Sequence, residues 1–115
     1  MDTAMDSREE IQSNWPVWYL PEAPLGAAVR YIASLSPRFN WVGIYLLKRK
    51  FLELGPYIGA KDAEAQSELV VLIRDRSGNI LGQIDIDSHF ENAFGSEEEN
   101  KVRQVAKELG ELWPV

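Results

Sequence analysis

Five side chains in this sequence could act together on a small molecule: Trp41, Tyr45, Glu68, Asp85 and Asp87. Carboxylates hold ammonium groups and aromatic rings supply an apolar or cation–π wall, so the set suits a cationic or zwitterionic ligand. What the chain lacks narrows its chemistry. Its 115 residues contain no cysteine, which removes disulfides, zinc–thiolate centres and any thiol mechanism based on its own side chains. His89 is the single histidine and follows Asp87-Ser88, with no partner set for a triad or a metal, so it reads as a surface loop residue. Asp85-Ile86-Asp87 with Glu91 misses a calcium loop, because Phe90 stands where the turn glycine belongs and Ser96 where the closing glutamate belongs. Glu68, Asp85 and Asp87 could take a hard cation as an alternative, but the expectation is no metal, no cofactor and no catalytic set. No glycine-rich phosphate loop, basic patch or nucleophile motif is present.

Four strands and two helices must position these groups. Leu25 to Leu35 fits a helix, with Leu25, Val29, Ile32 and Leu35 on one stripe and Pro37 beyond it. Trp41–Lys48 alternates as a strand, Arg49-Lys50 turns, and Phe51–Ile58 returns, with Gly55-Pro56 marking a bulge or an edge. Glu68–Asp75 and Ile80–Asp87 form a second hairpin around Arg76-Ser77-Gly78-Asn79. Ser96 and Glu99 have the spacing of a capping box, and Val102, Val105, Ala106, Leu109 and Leu112 give the last helix its apolar stripe. Residues 1–22 read as a partly flexible segment rich in Trp and Pro, whose aromatics should dock on the domain formed by 23–115. The order helix–hairpin–hairpin–helix gives an α+β domain with helices on one face of an antiparallel sheet.

Strand alternation then sorts the side chains. Val42, Ile44, Leu46, Leu69, Val71, Ile73, Ile80, Ile84 and Ile86 share the face that helices would cover. Trp41, Tyr45, Glu68, Gln83, Asp85 and Asp87 share the other, with Val70 and Leu72. Such a face is either a solvated outer surface, its carboxylates paired with Arg38, Lys61 or Arg74, or a concave site for an ammonium. Composition is compatible with both: 45% hydrophobic residues suffice for a core, and a net charge of −6 disfavours nucleic acid and anionic membranes. No membrane span or signal peptide is visible, and a cytoplasmic location is expected.

The segments NWVGIYLLKRKFLELGPYIG (40–59) and SELVVLIRDRSGNILGQIDIDS (67–88) resemble the GAF-type free methionine-(R)-sulfoxide reductases. The shared motifs are N-W-V-G-x-Y-L-L, L-x-L-G-P-Y-x-G, S-E-L-V and G-x-x-D-I-D-S, with an acidic helix start after them. The resemblance implies a GAF-like fold whose pocket is lined by Trp41, Tyr45, Glu68, Asp85 and Asp87. In that family a long cysteine-bearing stretch lies where this chain has only AKDAEAQ (60–66). A trimmed sheet in the order 2-1-4-3 with a wide-open pocket follows, and, with no thiol, the expectation that the chain is not an enzyme. The excision also makes the third strand an edge, so a homodimer through that edge or through the N-terminal aromatics is expected.

Overall fold

The computed structural model describes residues 15–60 and 64–114. The expected flexible stretch at 1–13, with its helical turn, and Lys61 as a partner for the acidic face lie outside them. Helix α1 (Pro24–Ala33) is followed by β1 (Trp41–Lys48), β2 (Phe51–Gly59), β3 (Ser67–Arg74), β4 (Ile80–Ser88) and helix α2 (Ser96–Leu112). The strands form one antiparallel sheet in the order β2-β1-β4-β3, and both helices lie on the same face of it. This is the expected α+β arrangement.

Each element follows from local chemistry. Pro24 sits at the start of α1, where its missing N–H leaves no partner wanting. That helix stops at Ala33, two residues before Leu35, where the Leu35 N–H bonds to the Ile32 carbonyl three residues back instead of to Tyr31 four back. In α2, Glu97, Glu98 and Glu99 occupy the first turn and complement the helix dipole. The capping box does not form: Gly95 is the N-cap, no side chain caps the end, and Ser96 is already inside the helix. Glu99 instead pairs with Arg103 one turn on, at 2.8 Å, an exposed contact worth about 0.3–0.5 kcal/mol.

The core fills the space between the sheet and the helices. Val42, Ile44, Val71, Ile73, Ile84 and Ile86 from the strands meet Val29, Ile32, Val102, Val105 and Leu109 from the helices, all buried. Burying each such side chain contributes roughly 1.5–3 kcal/mol. Ile80 departs from the expected face. A bulge makes Leu81 the extra residue between the Ile73–Gly82 and Arg74–Ile80 pairs, so Leu81 packs on the core and Ile80 is exposed. The Trp/Pro segment docks on the helical side: Trp18 is buried in the core, and its Nε1–H donates to Glu108 Oε1 at 3.0 Å.

The β3–β4 turn is held by one carboxylate. Asp75 Oδ1 accepts the N–H groups of Ser77 and Asn79, each at 2.9 Å, and Oδ2 accepts the Asn79 side-chain amide. The bond from the Asn79 backbone is the main cause holding the Asp75 carboxyl below its usual value, with the Asn79 side chain next.

Candidate functional site

Register places the five candidate residues in adjoining rows on the face away from the helices. Trp41 opens β1 opposite Asp87 of β4, and Asp87 in turn faces Glu68 of β3. In the next row Gly43 faces Asp85, which faces Val70; in the third, Tyr45 faces Gln83, which faces Leu72. Two carboxylates directly opposite across a strand pair repel each other, so the Glu68–Asp87 pair concentrates negative charge by design of the register. With Asp85 the cluster is tight: one carboxylate oxygen from each of the three lies within 4.8 Å of the others.

The aromatic wall depends on a glycine. A β-carbon at Gly43 would overlap the Trp41 indole, meeting its Cη2 and standing 2.8 Å from Cζ2 and Cζ3. The ring therefore lies across Gly43, along the strand and towards the Asp85 row. Tyr57 stacks on it with centroids 5.8 Å apart and planes 23° apart, and Tyr45 flanks it at 6.2 Å. Tyr57 is absent from the face that alternation sorts, which covers only the other three strands, and a bulge sets where it points. Pairing from Lys48–Phe51 to Tyr45–Leu54 keeps one register; beyond Gly55-Pro56 it slips by one, so Tyr57 pairs with Gly43. A slip of one residue moves a side chain to the other face. Gly55-Pro56 was the signal that could have located Tyr57.

The face is not wide open at its centre. Trp41 is 2% exposed, Asp85 5% and Asp87 4%, while Tyr45 is half-buried and Glu68 exposed. A purely solvated outer face therefore describes Glu68 but not the two aspartates. The neighbouring loop is fixed by its own bonds: Ser67 Oγ donates to the Phe90 carbonyl at 2.6 Å, and the His89 N–H donates to Asn40 Oδ1 at 2.7 Å. His89 itself is exposed, and Arg38 lies over the Phe90 ring at 5.3 Å. Chemically, three gathered carboxylates beside stacked rings suit an ammonium and an apolar side chain, and their oxygen spacing also admits a hard cation.

No family model matches the chain. Protein ZMO0507 of Zymomonas mobilis is 26% identical over 126 residues, covering 78% of each chain. That alignment is longer than this whole chain, so the relative carries a stretch with no counterpart here. A solved type II free methionine-R-sulfoxide reductase from Thermoplasma acidophilum is similar at 25% identity, with a TM-score of 0.71 over 76% of this chain and 88% of that one. A solved GAF domain is similar at 23% identity, with a TM-score of 0.69 over 89% of this chain and 80% of that one. The fold is GAF-like, and free methionine-R-sulfoxide reductases are among its structural neighbours. These neighbours correct the expectation that the chain is not an enzyme, since they are enzymes. The missing cysteine removes the thiol from this chain, and that alone does not make it inactive. Among the described residues, no helix is long and apolar enough to cross a membrane.

Proposed function

We propose that the face carrying Trp41, Tyr45, Glu68, Asp85 and Asp87 binds a small ligand bearing an ammonium group, of the class of free amino acids. The observation that carries the reading is the convergence of three carboxylates within 4.8 Å, beside an indole held by two tyrosines. An ammonium bound there gains a favourable charge contact with the carboxylates. The exposed Tyr57 ring and the half-buried Tyr45 ring supply apolar surface for the ligand's side chain and a cation–π face for its ammonium, with the buried indole holding them in place. The similar solved structures include enzymes named for free methionine sulfoxide, so methionine and its sulfoxides are the first ligands to test.

Calorimetry with methionine, both methionine sulfoxide epimers and other amino acids tests this, alongside calcium and magnesium. Asp85→Asn removes one charge at nearly constant volume. A charge-assisted hydrogen bond is worth roughly 1.5–3 kcal/mol, so the variant should bind about tenfold more weakly or worse. No heat at millimolar ligand would sink the proposal. So would equal affinity in the variant, or binding of the divalent ions with no response to any amino acid.

A further inference from the structure

The two edges of the sheet are built differently. β2 carries the Gly55-Pro56 bulge, and a proline and a bulge both spoil an edge as a template for another strand. β3 carries no such protection. It runs from Ser67 to Arg74 with neither Pro nor Lys, and the extra residue of the β3–β4 bulge, Leu81, belongs to β4. Leu69–Ile73 is apolar throughout, and Val70 and Leu72 are 42% and 41% exposed. A cleft of about 320 Å³ lies along this edge, lined by Val71, Leu72 and Arg74 of β3, by Asp75 just beyond it, and by Arg103, Ala106 and Lys107 of α2.

The charges along the edge select its occupant. Glu68, beside Asp85 and Asp87, makes one end acidic; at the other, Arg74, Arg103 and Lys107 outnumber Asp75 and the Glu99 that pairs with Arg103, which leaves it basic on balance. A strand that complements both ends carries a cation to the first and an acid to the second, with apolar residues between. β3 read in the opposite direction does this. We propose that β3 pairs antiparallel with β3 of a second copy of the chain, about a two-fold axis at Val71. In that register Glu68 stands opposite Arg74, Leu69 opposite Ile73, and Val70 opposite Leu72, so the strand complements itself in charge and in apolar surface. The two sheets become one continuous sheet. Arg74 of the second copy also arrives beside Glu68, a member of the carboxylate cluster, so pairing and ligand binding draw on a shared side chain. The pairing itself stands without the ligand reading and is measured with no ligand present.

Sedimentation velocity from micromolar to several hundred micromolar protein tests it, using E68R, R74E and the double variant E68R/R74E. Glu68 and Arg74 are both exposed, so each variant should fold, which far-UV circular dichroism checks. The wild type should dimerise. Each single change sets two like-charge pairs across the axis and should raise the dimer dissociation constant at least about tenfold. The double variant restores opposite charges and should restore the dimer. A wild type that stays monomeric overturns the proposal. Single variants that dimerise as well as the wild type, or a double variant as weak as the singles, overturn it equally.

Discussion

Replacing Gly43 by alanine is the sharpest test of how the site is built. The added methyl occupies space now held by three atoms of the Trp41 ring. That ring is 2% exposed and boxed by Tyr45 and Tyr57, so it cannot swing aside without disturbing both. Overpacking of this kind costs about 1–3 kcal/mol. Against it, alanine removes freedom from the unfolded chain, a gain of about 0.4–1 kcal/mol. The net expectation is a loss of about 1–2 kcal/mol, read as a lower urea midpoint with an unchanged slope. The indole resonance of Trp41 should shift in the same variant, while that of Trp18, bonded to Glu108 on the opposite side of the sheet, should hold. Unchanged or greater stability with the Trp41 resonance in place would refute the claim that the ring lies across Gly43.

Two other glycines predict opposite signs for one substitution. At Gly110 a β-carbon meets the Arg74 backbone carbonyl, which cannot rotate away, so Gly110→Ala should cost about 2 kcal/mol despite its better helix propensity. At Gly26 the nearest atom is the far end of Arg30 at 3.5 Å, so Gly26→Ala should stabilise by about 0.5–1 kcal/mol. Thermal unfolding of the pair decides: a stabilised Gly110→Ala contradicts the packing of α2 on β3, and a destabilised Gly26→Ala contradicts the open space at Gly26. The turn at Asp75 predicts a pH effect. Its carboxyl is held below the usual 3.8, so it contributes stability above that value and loses it as pH falls through the folded value. Asp75→Asn should flatten the acid limb of stability as pH falls below the usual carboxylate value, and an unchanged pH dependence in a urea series would contradict the turn's role.

Much of this architecture was legible because alternation and periodicity are strong in these segments. β1 was readable to its end residues, since Trp41–Lys48 alternates without a break and Arg49-Lys50 closes it. The helix-facing set was readable for Val42, Ile44, Val71, Ile73, Ile84 and Ile86, because a two-residue period assigns faces wherever register is regular. Bulges defeated the same logic. Tyr57 joined the site and Ile80 left the core because one strand gained a residue over its neighbour in each hairpin. The capping spacing at Ser96 misled for a different reason: the helix begins at the serine itself, with Gly95 extended before it. Nor does the sequence reveal that Trp41 lies along its strand, which follows from the space left by Gly43. The docking of Trp18 was foreseen only as burial on the domain; its seat against Glu108 required the relative placement of two distant segments.

The central claim is that the carboxylate and indole face is where a ligand binds. Indole N–H resonances in an amino-acid titration test it most directly, because the protein carries its own control. With methionine or its sulfoxide added to millimolar levels, the Trp41 resonance should move and saturate while that of Trp18 stays in place. A Trp41 resonance that never moves, or one that moves only in step with Trp18, would contradict the account.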